Sequence, residues 1–296
     1  MRTPSPRPDA VHEESETPEA HDLGLSHDLP TLLNRRHAIG LLTAGGLAAA
    51  LAACTSGTGS SGSTGSTGSP TDSAGGGAPG DATQADVGDG EIPEETGGPY
   101  PADGTNGPNA LTTTGVVRSD ITTSFGDSSG TAEGIPLTFS LTVVDVSGDG
   151  DAGTAVAGAA VYAWHCDREG RYSMYDLADQ NYLRGVQEAD ADGTVTFTSI
   201  FPACYAGRWP HIHFEVYPSL DDATSATNRM RTSQLALPQD VCEAVYATTG
   251  YEQSVTNLQG VTLDSDNVFS DGYALQMARV SGSVSEGYTA TLRVPV

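Results

Sequence analysis

The strongest signal along the chain is alternation of apolar and polar positions with a period of two, the signature of a half-buried strand. In "LTFSLTVVDV" (137–146), Leu137, Phe139, Leu141 and Val143 share one face while Thr138, Ser140 and Thr142 share the other. "AAVYAWHCD" (159–167), "GTVTFTSIF" (193–201), "HIHFEVY" (211–217), "GYALQMARVSG" (272–282) and "GYTATLRVPV" (287–296) also read as strands, separated by turn-forming runs such as "SGDGDAG" and "DADG". One short helix is expected over "LPQDVCEAVYAT" (237–248), with Pro238 in its first turn. Many short strands with sparse helix predict an all-β domain, an antiparallel β-sandwich with one short helix and long loops, over residues 91–296. No internal repeat stands out, and no glycine-rich loop leads from a strand into a helix.

The first 90 residues follow different patterns. Paired Arg35 and Arg36 precede an apolar run from Ala38 to Ala53, which ends directly at Cys54. The run is too short and too rich in Ala and Gly to read as a spanning helix. The arginine pair resembles a twin-arginine export signal, and "LAAC" (51–54) resembles a lipobox, which makes Cys54 the lipidated residue of a signal covering 1–54. An ordinary cleaved signal with a chance cysteine is the competing reading, and both export the domain. Residues 55–90 are rich in Gly, Ser and Thr without apolar periodicity, as in a flexible tether. The expectation is an exported protein, secreted or held at the cell surface, meeting membrane only through Cys54.

Charge narrows the partners. The 296 residues carry Lys+Arg 13 against Asp+Glu 38, a net charge of −25, and all 13 cations are arginine. So acidic a chain is not expected to bind nucleic acid or an anionic membrane electrostatically. Three cysteines follow Cys54: Cys166, Cys204 and Cys242. In an oxidising compartment a pair should join. Cys204–Cys242 is expected, with Cys166 reduced, because Cys166 shares a strand face with Trp164 and reads as a buried thiol.

Within the strand 211–217, His211 and His213 are two residues apart and point to one side. Two imidazoles so aimed raise the case for a metal site, but H-x-H alone is shared by many copper, zinc and iron proteins. The only other domain histidine, His165, keeps a three-histidine copper or cupin-like centre open, although a structural role suits it better.

The surroundings of the H-x-H are more specific. "WHCDREGRY" (164–172) gives W-x-x-D followed by G-x-Y, and "DGTVTFTSIFPACY" (192–205) gives D-G-x-x-x-F-x-x-I-x-P-x-x-Y. "RWPHIH" (208–213) gives R-x-x-H-x-H, and "EETGGPY" (94–100) supplies T-x-G-P-[FY]. In this order the motifs resemble the intradiol ring-cleavage dioxygenases, most of all secreted, single-domain members. The resemblance runs from about Pro93 to Tyr217; beyond that only strand pattern remains.

The resemblance implies non-haem Fe(III) held by Tyr172, Tyr205, His211 and His213. It implies a catechol-type substrate and O2, with cleavage between the hydroxyl-bearing carbons to a cis,cis-muconate-type product. Tyr205 is then the ligand that yields its place to substrate and acts as a base. Arg208 stabilises charge on the ring, and Tyr100 borders the site as a substrate contact or as packing. Fe(III) is a hard cation that suits anionic oxygen donors. The reading that competes from another class is a non-catalytic surface module, a stalk or a carbohydrate-binding sandwich, which needs neither H-x-H nor Tyr172.

Overall fold

The computed structural model describes residues 90–148 and 153–296. The export signal with Cys54, and the tether as far as residue 89, lie outside the described residues. Among the described residues, nine strands form two sheets: β1 (Pro136–Asp145), β2 (Thr154–Ala155), β3 (Ala160–Trp164), β4 (Arg184–Glu188), β5 (Thr194–Ile200), β6 (His211–Tyr217), β7 (Arg231–Ala236), β8 (Arg279–Ser283) and β9 (Gly287–Pro295). One sheet has the order β2-β1-β9-β8, with β5 also paired to β1; the other has the order β4-β3-β6-β7. All pairings are antiparallel except β1 with β9. The expected all-β sandwich is the fold observed.

The core lies between the sheets. Leu137, Phe139, Leu141 and Val143 of β1 share it with Val161 and Ala163 of β3 and with Ile212, Phe214 and Val216 of β6. Phe139 faces Phe197 across the β1–β5 ladder, their rings stacked at 5.1 Å. The four-stranded sheet is buried on its other face too. There, loops from residues 102–125 and 172–175 cover Tyr162, Trp164 and Tyr217. Alternation along β6 therefore sends Ile212, Phe214 and Val216 into the core, and His211, His213, Glu215 and Tyr217 under the loops.

Three strands, β2, β4 and β7, and a helix escape sequence reading. β4 (RGVQE) and β7 (RTSQLA) are mostly polar, yet Arg184, Thr232, Ser233 and Gln234 are buried. The Arg184 guanidinium donates to the carbonyls of Tyr100, Pro101 and Ser173, which anchors the incoming segment. The expected helix is present as α1 (Gln239–Tyr246), but a second, α2 (Glu252–Gln259), follows it. The expected strand 272–282 is shorter: its first half forms turns closed by Gln276 and Met277 N–H groups on the Tyr273 carbonyl, Met277 makes a single bridge to Ala236 of β7, and Arg279–Ser283 forms the strand that pairs with β9.

The cysteine expectation is corrected. Cys166, Cys204 and Cys242 are three buried free thiols, and no Cys204–Cys242 bond forms. The Cys204 Sγ faces the Arg208 carbonyl at 3.4 Å, and the Cys166 Sγ faces the Ala203 carbonyl at 3.7 Å. Burial raises all three thiol pKa values, that of Cys204 to about 12, which withholds the thiolate that disulfide formation requires.

Candidate metal centre

Tyr172, Tyr205, His211 and His213 converge on one point under the loops of the four-stranded sheet. Tyr172 Oη donates to Tyr205 Oη at 3.4 Å, Tyr205 Oη lies 3.2 Å from His211 Nε2, and the two histidine Nε2 atoms are 3.0 Å apart. Atoms ringing a metal at about 2.1 Å stand roughly 3.0–3.4 Å from one another when the angles between bonds are near 90–110°. The residues thus fit a four-ligand centre by spacing.

Local structure fixes each side chain. The two histidines share a face of β6. His211 Nδ1 meets the Trp209 carbonyl, so it carries the proton and leaves the Nε2 lone pair aimed at the centre. His213 stacks on Trp164 at 4.9 Å with an interplanar angle of 2°, and Trp164 stacks in turn on Tyr162 at 5.0 Å. On its other side His213 meets Gly98, where an added Cβ would stand 3.4 Å from the ring. Gly98 also has φ +72°, a conformation that disfavours larger residues. Tyr205 follows Cys204, whose backbone is held at both ends by α2: Ser254 Oγ accepts from its N–H and Asn257 donates to its carbonyl. Tyr172 N–H donates to Asp176 in a tight loop closed by the Asp167 carboxylate on the N–H groups of Glu169 and Arg171.

Burial holds all four groups uncharged in the absence of a cation. It raises Tyr172 well above an ordinary phenol and Tyr205 to about 12, with Arg208 pulling Tyr205 back. Burial, then the Arg208 charge, drives His211 and His213 well below an ordinary imidazole. Neutral imidazoles are ready ligands, and two phenols supply two anionic oxygens once their protons leave, a donor set matched to a hard trivalent ion.

The remaining expected residues also gather here. Arg208 is 8% exposed, with Nη1 3.5 Å from His211 Nε2. The Tyr100 ring packs 5.0 Å from that of Tyr172 and is half-buried at the border of the site. His165 is not part of it. Its Nδ1 meets the Cys166 carbonyl and its Nε2 the Ser199 hydroxyl, each at 2.7 Å, and both it and Trp164 are buried. Among the described residues, no three His, Cys, Asp or Glu side chains form a metal-binding group, so the three-histidine centre is not assembled.

Three residues went unread. Gln234 Oε1 accepts from Arg208 Nη2 at 2.6 Å, Asp266 Oδ2 accepts from Arg208 Nε at 2.9 Å, and the Phe269 ring lies 6.5 Å from that of His211. The only sequence signal for Gln234 is its register opposite His213, which requires β7 to be known.

Residues 106–240 match the family model Dioxygenase_C, described as "Dioxygenase", a span that contains Arg208 and all four candidate ligands. The fold is similar to that of an intradiol ring-cleavage dioxygenase from Tetranychus urticae, at 24% identity over 70% of this chain and 94% of that one, with a TM-score of 0.52. A second dioxygenase crystal structure aligns at 22% identity over 70% of this chain and 94% of that one, with a TM-score of 0.53. Residues 106–240 thus match a dioxygenase family model, and the described domain is similar in fold to intradiol ring-cleavage dioxygenases.

Proposed function

We propose that this protein is an exported non-haem Fe(III) dioxygenase that opens a catechol-type ring between its two hydroxyl-bearing carbons. O2 is the co-substrate and a cis,cis-muconate-type dicarboxylate the product. The supporting observation is the convergence of two phenol oxygens and two imidazole nitrogens with neighbour spacings of 3.0–3.4 Å. Tyr172, Tyr205, His211 and His213 would hold the iron. Fe(III) held there would supply a Lewis acid that favours the catecholate form of the substrate and its reactivity towards O2.

The protein groups divide the remaining work. Tyr205 Oη is the proton acceptor for a catechol hydroxyl, since it is partly exposed whereas Tyr172 is buried. Arg208 presents Nη1 to the centre, where a fixed cation stabilises charge developing on the ring. His211 and His213 stay neutral and hold no transferable proton towards substrate. Tyr100 and Phe269 flank the centre with aromatic surface that excludes water. Export follows from the twin-arginine pattern and the lipobox Cys54, which would leave the domain on a tether at the membrane surface.

Oxygen uptake on iron-loaded protein supplied with catechol tests the reaction. One O2 consumed per ring, with a dicarboxylate formed, supports it. Cleavage beside the diol, or no uptake by iron-replete protein, overturns it.

A further inference from the structure

We infer that Asp266, beyond the family-matched segment, is a positioning residue that sets which edge of the Arg208 guanidinium faces the reacting ring. The inference rests on the proposed reading that Arg208 faces a bound catecholate. Asp266 is 0% exposed, and its carboxylate accepts four hydrogen bonds. Oδ2 takes Arg208 Nε at 2.9 Å and Trp209 N–H at 2.6 Å; Oδ1 takes Val268 N–H at 2.8 Å and Phe269 N–H at 3.2 Å.

This clamp has a definite geometric result. Nε is held by Asp266, Nη2 is held by Gln234, and Gln234 is itself tied through Nε2 to the Thr96 carbonyl at 2.9 Å. Nη1 is then the edge turned to the centre, 3.5 Å from His211 Nε2. A guanidinium on a freely rotating stem would instead seek the two phenolate oxygens and compete with the metal for them. The Asp266 charge also offsets the arginine charge beside a site that must admit a trivalent cation. The same carboxylate fixes the Phe269 backbone, and the Arg208 guanidinium lies 6.0 Å from that ring.

A double-mutant cycle in iron-loaded protein tests the role. Asp266→Asn keeps Oδ1 for Val268 and Phe269 but replaces the acceptor for Arg208. It is expected to keep iron and the visible tyrosinate band, and to lower kcat by about 10- to 100-fold with KM nearly unchanged. In an Arg208→Ala background the same change should alter kcat less than about twofold. Equal losses in both backgrounds, or no loss in either, would overturn the inference.

A second readout needs neither iron nor a folded Asp266 variant. In metal-free wild type, the Arg208 Nε–H proton, assigned by its absence in Arg208→Lys, should exchange with water far more slowly than that of exposed Arg279. Equal exchange refutes the clamp. Wild type that binds no iron refutes the proposed function, while the exchange comparison still decides whether Asp266 holds Arg208.

Discussion

Arg208 and Asp266 form a buried ion pair with side-chain exposures of 9% and 0%, so removing one partner has two separable consequences. Arg208→Ala leaves Asp266 without a counter-charge and should lower stability by about 3–5 kcal/mol in denaturant unfolding. It should also lower kcat by about 100- to 1000-fold in steady-state kinetics while iron content stays near wild type. Near-normal turnover would return Arg208 to a purely structural role. The buried histidines give a pH dependence of definite sign. Burial lowers His165 to about 4 and holds His211 and His213 well below an ordinary imidazole. In the unfolded chain each takes up a proton near pH 6.5. The three histidines of the metal-free protein should therefore contribute stability that is fully present above pH 6.5 and is lost progressively as pH falls towards 4, with Glu215, raised to about 8 by burial, contributing the opposite slope below pH 8. His165→Gln should remove about one of three protons from that slope, measured by denaturation at a series of pH values. The four candidate ligands and Arg208 were legible because motif order and spacing carry them. Asp266 and Gln234 were not, because they reach Arg208 from 58 and 26 residues away through segments with no periodic pattern.

The β6 strand shows why part of the architecture was readable. Its inward residues are apolar and its outward histidines stand two apart, so alternation identifies both the strand and the ligand face. Strands β4 and β7 hide because several of their buried residues are polar, with Arg184 and Gln234 held by long-range bonds, which imitates an exposed loop in sequence. Helix α2 hides for a related reason: of its eight residues only Ser254 is buried, and the helix acts through polar bonds to Cys204. Just before it, Tyr251 Oη donates to the Phe201 carbonyl at 2.8 Å and accepts from the Ile135 N–H at 3.1 Å, joining the start of α2 to the strand ends that lead to Tyr205. Tyr251→Phe strands both backbone groups and should lower stability by about 1–3 kcal/mol in denaturant unfolding. The cysteines make a further test at this scale. All three should resist a thiol reagent in the native protein and react on unfolding, and non-reducing peptide mapping should recover no linked pair; a Cys204–Cys242 peptide would contradict the free thiols observed.

Across the molecule, a sandwich buried on both faces of one sheet places the centre beneath loops rather than at a sheet edge. The N-terminal segment crosses that region: Glu95 N–H pairs with the Thr232 carbonyl, and Gly98 meets His213. The measurement that bears most directly on this picture is metal content together with the visible spectrum, for wild type and Tyr172→Phe side by side. Wild type should hold one iron per chain and be red-brown from tyrosinate bound to Fe(III). Tyr172→Phe, lacking one phenolate, should lose most of that iron and absorbance. Wild type that stays colourless with added iron, or that fills the site stoichiometrically with zinc or copper, would contradict the four-ligand iron centre.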